Sequence, residues 1–375
     1  MKIVHMISVH PRNDTRIFYK ECKFLANQGH DVYLIVADGK GDSLLDGVKI
    51  IDVGTSRIGR IGRMVLITKR VYRKALELNA DIYHFHDPEL LPWGWFLQIR
   101  GKRVIYDIHE DVPRHILAKG WIPPSFRKTL SKLFEFIENA FSSRADLLVC
   151  ATPTIFNRFN KNNQNTITVC NYPICQELFS QNSDTNRKER AFCYIGQICE
   201  SRGLYQMIQA SEKINGFLYL GGDFISQKEW DKAISMPGWG KTLYLGHLNR
   251  IEIRDLLSKV MVGLVLLLNT PNHYEALPVK MFEYMSASIP VVASDFPLWK
   301  EIVEGNDCGI CVNPKDINGV AKAINWLLDN PEEAKKMGEN GRKAIEEKYS
   351  WEKEFEKLTT ALSEWGLFKQ STEKI

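Results

Sequence analysis

The segment Tyr274-Glu-Ala-Leu-Pro-Val-Lys-Met-Phe-Glu-Tyr-Met-Ser286 holds the pattern richest in possible chemistry. Pro278 favours the first position of a helix, where its missing N–H would have had no partner anyway. It follows an apolar run, Val262–Leu268, and a polar loop, so the helix would open at a strand's carboxyl end with its first amides free. Such a start suits an anion, a phosphate or diphosphate. Glu275 lies just before it, and Glu283 lies about 7–8 Å along the helix at 1.5 Å per residue. Carboxylates touching the phosphate charge would repel it, so in a binding role they must face neutral hydroxyls. A nucleotide sugar, with a hexose on one side of its diphosphate and a ribose on the other, has that arrangement. On spacing alone the alternative stands beside it: Glu275 caps the helix and Glu283 is a solvated helical glutamate.

Two other stretches could do chemistry. In His84-Phe-His-Asp87, strand alternation puts His84 and His86 on one face. No third ligand stands at a suitable spacing, so the sequence favours a strand end lining a cleft, with His86 and Asp87 as contacts, over a metal site. Tyr106-Asp-Ile-His-Glu-Asp111 ends another strand, and Asp107, Glu110 and Asp111 could include an acceptor-side base. Cys308-Gly-Ile-Cys311 is a CxxC without a second ligand pair. The eight cysteines are scattered and read as buried thiols in a reducing compartment. No Asp-x-Asp occurs, so charge on a diphosphate leaving group must be met by fixed cations and dipoles. The expectation is no metal and no cofactor.

The elements that would position these residues alternate. Strands are expected at Lys2–Val9, Val32–Ala37, Val48–Val53, Ile82–His86, Arg103–Ile108, Leu147–Ala151 and Thr166–Asn171, then at Ala191–Ile195, Phe217–Leu220, Thr242–Leu245, Val262–Leu268, Pro290–Ser294 and Gly309–Val312. Helical patterns between them give an α/β class with parallel sheets. The chain's 375 residues suit two domains. They are expected at 1–180 and 191–348, joined by the apolar-free linker 181–190, with 349–375 a helical tail packing back toward the first domain. Ligands sit outside the carboxyl ends of parallel strands, so two such domains would face one cleft.

The ordered set of motifs resembles glycosyltransferase family 4. Glu275 and Glu283 match its E-x7-E pattern. Tyr194-Ile-Gly-Gln-Ile-Cys-Glu-Ser-Arg-Gly203 looks like the loop opening its second domain; Leu220-Gly-Gly-Asp223, Tyr244-Leu-Gly-His247, Gly305-Asn-Asp-Cys-Gly309 and Gly29-His30-Asp31-Val32 resemble further steps. The resemblance covers nearly the whole chain. It implies the GT-B fold, two Rossmann-like domains facing a cleft, and a retaining transfer from a nucleotide-diphosphate sugar. By it, Glu275 would bind hexose hydroxyls and Glu283 the ribose diol. Amides around Ala276 and Leu277 would hold the diphosphate, Arg202 would neutralise it, and His109 would contact the donor sugar from the first domain. Gly196 and Gly222 would line the donor loops. The sequence departs from the pattern at Gln197, where the family commonly has a cation, with Lys280 a substitute. It departs again where His10-Pro-Arg-Asn-Asp-Thr-Arg-Ile-Phe-Tyr-Lys-Glu21 replaces paired glycines. There Asp14 and Arg16 join the acceptor side.

The net charge of +4 divides into +7 over residues 1–180 and −3 over residues 181–375, so an anionic partner is expected on the first domain. Arg57, Arg60, Arg63, Lys69, Arg70, Arg73 and Lys74 form a basic run, and Lys119–Lys132 mixes cations with Trp121, Ile122 and Phe126. Aromatics beside lysines suit an anionic membrane surface, which would bring a polyprenyl-diphosphate-linked glycan within reach, as in bacterial surface-polysaccharide assembly. No nucleic-acid module is visible. With neither a signal peptide nor a spanning run, the protein is expected in the cytoplasm, with peripheral contact on the membrane's inner face. Two rivals remain: a nucleotide-sugar epimerase of the same fold, and an inactive scaffold that binds nucleotide sugar.

Overall fold

The computed structural model describes residues 1–56, 59, 62–118, 122–179, 189–270 and 273–368. Most of the expected linker from Gln181, and Arg57, Arg60, Lys119 and Trp121 of the basic regions, lie outside the described residues, as does the side chain of Arg63. The chain forms two compact units: Met1–Asn171 with Glu354–Ile375, and Tyr172–Lys353. Residues 172–179, read as part of the first domain, thus belong to the second unit.

The first unit is built on β1 (Lys2–Met6), β2 (Asp31–Val36), β3 (Ser43–Leu45), β4 (Val48–Asp52), β5 (Ile82–Phe85), β6 (Arg103–Ile108), β7 (Leu147–Cys150) and β8 (Thr166–Thr168). Their order is β3-β4-β2-β1-β5-β6-β7-β8, parallel except for β3 against β4. Strands such as β5 and β7 are buried along their length, because a parallel sheet is covered on both faces and selects continuous apolar runs. The edge strand β3 was not expected. It forms a hairpin through Asp46 (φ 48°) and Gly47 (φ 80°), and an Asp-Gly pair is what such a two-residue turn prefers. Strand order reverses between β1 and β5, where His5 lies beside His84 in register. The chain's late residues complete this unit: Cys170 N–H donates to Glu354 (2.8 Å) and Arg103 to the Gly366 carbonyl (2.6 Å).

The second unit holds β9 (Ala191–Ile195), β10 (Phe217–Gly221), β11 (Thr242–Gly246), β12 (Val262–Val265), β13 (Val291–Ser294) and β14 (Gly309–Val312). All are parallel, in the order β11-β10-β9-β12-β13-β14. The order reverses between β9 and β12, the point where open α/β sheets leave a crevice for ligand. Phe192, Leu218, Val262, Leu264 and Ile324 belong to its core. No helix among the described residues is long and apolar enough to cross a membrane.

Candidate functional site

At the carboxyl ends of β9 and β10 the backbone turns through Gly196 (φ 136°) and Gly222 (φ 128°). A Cβ on Gly222 would stand 1.9 Å from the Gly196 carbonyl oxygen, and one on Gly196 would stand 1.9 Å from Lys280 Cε. Neither position admits a side chain, so two bare turns lie against each other with the lysine across them. Beside them is a cavity of about 290 Å³ lined by Gly196, Gln197, Gly222, Asp223, His247 and Leu248.

Arg202 sits on a single turn, Glu200–Arg202, closed by Gly203 at φ 79°. The Leu268 N–H donates to the Ser201 carbonyl (2.9 Å), which ties this turn to the chain leaving β12. Burial lowers the Lys280 ammonium below its ordinary 10.5; Glu283 raises it and Arg202 lowers it further. Burial likewise lowers His273, and Arg202 adds to that. Two cations thus share one field next to glycine turns, an arrangement that an anion would relieve. The side chain of Gln197 is exposed, while its carbonyl accepts from the Tyr194 hydroxyl (2.8 Å). Of Gln197 and Lys280, only Lys280 brings a charge to the Gly196 turn.

The helix after β12 spans Val279–Ser286, with Pro278 at the cap rather than in the first turn, and no side chain caps it. It is anchored from within, since the Tyr284 hydroxyl accepts from the Ile195 N–H (3.1 Å) and its ring occupies the space a Gly263 side chain would need. Trp299, fully buried, donates its indole N–H to the Ala276 carbonyl (2.7 Å). The Ala276 amide turns back to His273 O (3.1 Å). That corrects the expectation for Ala276: its N–H closes the turn, whereas the Leu277 N–H has no hydrogen bond among the described residues. Glu275 is exposed in that turn.

Glu283 is not a freely solvated glutamate. Arg250 Nη1 donates to it at 2.5 Å, while Nε and Nη2 fork onto Glu177, both at 2.7 Å. Burial works against the Arg250 charge, but the two carboxylates outweigh it and raise its pKa. Sequence reasoning missed Arg250 and Glu177. Asn249-x-x-Glu252 is a capping box that marks Arg250 as the first helical residue, but nothing in the sequence links it to Glu177.

In the first unit, the strand ends gather a buried polar cluster. Arg16 is 3 % exposed, forks onto Asp107 (2.8 and 3.0 Å) and donates to the Val169 carbonyl (2.8 Å). Asp107 also meets His109 Nε2 (2.8 Å) and His86 Nδ1 (3.2 Å). Burial works to raise the Asp107 carboxyl, but the Arg16 charge and these partners hold it well below the carboxylate range. Asp87, likewise buried, accepts from His10 (2.7 Å) and the Val9 N–H (3.0 Å), and these bonds pull its pKa down to about 2 against its burial.

These contacts correct the acceptor-side expectations. Arg16, His86 and Asp87 are spent inside the fold. Asp14 caps the segment Thr15–Cys22 through the Arg16 and Ile17 N–H groups, both at 2.9 Å. Asp111 is paired with Arg158 (2.9 Å). Glu110 meets His115 (2.8 Å) and remains largely exposed, and His109 keeps an open edge of its ring.

The basic helix Pro124–Ser142 leaves Phe126, Leu130, Leu133, Phe136 and Ile137 exposed, with Lys128 and Lys132 also in solvent. Ile122, expected among these surface apolar residues, is buried.

Family profiles match both units: one described as Glycosyltransferase Family 4 over residues 15–171, one described as Glycosyl transferases group 1 over residues 176–344. The chain belongs to glycosyltransferase family 4. This family 4 chain is 25% identical over 166 residues to the glycogen synthase of Mycobacterium tuberculosis (strain CDC 1551 / Oshkosh), covering 42% of itself and 39% of that protein. It thus spans about two fifths of that relative's length. It is 21% identical over 294 residues to the O-antigen chain mannosyltransferase C of Escherichia coli, covering 74% of itself and 73% of that protein. In fold it is similar to HepE of Anabaena, solved in complex with UDP-glucose, with a TM-score of 0.74 at 15% identity over 97% of this chain and all of that one (100%). The GT-B class expected from the sequence is therefore observed as two Rossmann-like parallel-sheet units.

Proposed function

We propose that this family 4 chain transfers a hexose from a nucleotide-diphosphate sugar to a lipid-linked glycan, with retention and without a metal, in bacterial surface-polysaccharide assembly. The observation that carries this reading is the pair Arg202 and Lys280 at the bare turns of Gly196 and Gly222. Breaking the anomeric C–O bond leaves its electron pair on a phosphate oxygen, where fixed cations and unclaimed helix amides are worth most. The uncapped start of Val279–Ser286 and the Leu277 N–H supply such amides. Glu283, oriented by Arg250, takes the ribose diol; Glu275 takes hexose hydroxyls. HepE, similar in fold, was solved with UDP-glucose, and the mannosyltransferase relative acts on an O-antigen chain; both support this substrate class.

The exposed stripe Phe126, Leu130, Leu133 and Ile137, with Lys128 and Lys132 beside it, supports peripheral contact with an anionic membrane. A panel of UDP-, GDP- and dTDP-sugars followed for nucleotide release, with and without polyprenyl-linked glycan and with Glu275→Ala as control, tests the reading. Release should require the lipid-linked glycan and vanish in the variant. Silence of every donor with acceptor present would sink it, and product formed without acceptor would indicate an epimerase.

A further inference from the structure

The sequence offered His84 and His86 without a third ligand, but the fold supplies two more groups. His5, on β1, lies beside His84 in register, and Glu21 enters from the helical segment Thr15–Cys22. Within that segment the Tyr19 N–H reaches back five residues to Asp14 O (3.4 Å), a π-type turn of the kind often found at functional sites. Arg16, Lys20 and Glu21 all face inward from it.

The convergence is tight. His5 Nδ1 is 2.9 Å from His86 Nε2. Glu21 Oε2 is 3.7 Å from His84 Nδ1, 3.9 Å from His86 Nε2 and 4.0 Å from His5 Nδ1, and all four atoms lie within 4.8 Å of one another. A tetrahedral ion with bonds of about 2.0–2.2 Å needs ligand atoms about 3.3 Å apart, so an ion would have to draw the wider pairs together, Glu21 and His5 by about 0.7 Å from their 4.0 Å separation. His5, Glu21, His84 and His86 are each at most 2 % exposed. Glu21 Oε1 lies 3.2 Å from Arg16 Nε, which is already bonded to Asp107, and burial together with the neighbouring Asp107 pushes the Glu21 carboxyl well above its ordinary range. One guanidinium thus serves two buried carboxylates, and three imidazole nitrogens stand within 4.0 Å of the second one, a donor set that a bound cation would complete. One outer partner is also in place. His86 turns its other nitrogen to Asp107 (3.2 Å), the carboxylate–histidine arrangement that orients metal-bound imidazoles.

We propose that His5, Glu21, His84 and His86 bind one divalent transition-metal ion, zinc by the nature of the ligand set, as a structural site pinning Thr15–Cys22 to β1 and β5. Three imidazoles and one carboxylate without an open position fit a closed zinc shell. The ion has no part in the leaving-group chemistry proposed for the second unit, and a failure of either idea leaves the other standing.

The test uses the full chain, purified without metal-affinity resin. Elemental analysis should find about one zinc per chain, and the chelator-stripped protein should take up one equivalent of ZnCl2 or CoCl2, cobalt giving the intense visible bands of four-coordination. Chelation should lower the melting temperature and ZnCl2 restore it. In His84→Gln and in Glu21→Gln, zinc content should fall at least about tenfold, with UDP binding, measured separately, retained as the sign of an intact second unit. Folded, stripped protein that takes up neither ion at micromolar concentration would overturn the site. So would stoichiometric zinc that survives both substitutions, since the ion would then lie elsewhere.

Discussion

Arg250 holds Glu283 through a 2.5 Å bond while its other edge forks onto Glu177, so one guanidinium fixes the rotamer of the carboxylate assigned to the ribose. Charge-assisted, forked contacts of this kind set geometry as well as energy. Arg250→Met should free Glu283 and leave two carboxylates without their shared cation. We expect KM for the donor to rise about tenfold, equivalent to about 1.4 kcal/mol, with kcat changed less. Equal losses in kcat and kcat/KM would instead place Arg250 in transition-state stabilisation.

In the proposed mechanism Arg202→Ala removes a fixed cation from the leaving group, and turnover should fall by about 10²–10³. Kinetics like those of the unsubstituted enzyme would remove Arg202 from the mechanism.

Lys280 gives the site a pH dependence with a definite sign. Its ammonium is disfavoured by burial and by Arg202, so it loses its proton below the ordinary lysine range. Affinity for UDP should therefore decline on the alkaline side, earlier than 10.5, and that limb should be absent in Lys280→Met. The lowered pKa also means that the charged lysine costs the apo fold stability below its folded-state pKa, a cost relieved as the lysine deprotonates. Lys280→Met should thus melt at a higher temperature than the parent at neutral pH while binding UDP more weakly, a pairing that calorimetry can check.

Gly222→Ala places a methyl group against the Gly196 carbonyl at φ 128°. Strain of about 1–3 kcal/mol is expected, seen as a lower melting temperature together with loss of UDP binding. Retained affinity would mean that the two turns do not form the diphosphate seat.

Arg16→Met tests the reassignment of Arg16 from acceptor binding to structure. Removing one partner of a buried pair costs about 3–5 kcal/mol. A destabilisation of that size in denaturant titrations is expected. A stable variant altered only in its acceptor KM would restore the earlier reading.

The central strands were legible because they are short apolar runs buried on both faces, as in β5, β7 and β12. β3 was missed although Asp46-Gly47 announces its turn, since Leu44 and Leu45 point to solvent and give no buried pattern. The Glu275/Glu283 spacing pointed to a donor loop, yet the Arg250 that holds Glu283 is 33 residues away in the chain. The His5, Glu21, His84 and His86 group was illegible for the same reason, and because only the π-type turn, which the sequence does not announce, directs Arg16, Lys20 and Glu21 inward.

The strands of the first unit are made early in the chain, but Glu354 and Gly366, which take the Cys170 N–H and the Arg103 guanidinium, are made late. A domain usually folds as it leaves the ribosome. Here the Cys170 amide and the Phe24 face that meets Phe355 wait through synthesis of the whole intervening unit, so early termination would release a first sheet with an uncovered flank, open to chaperones and proteases.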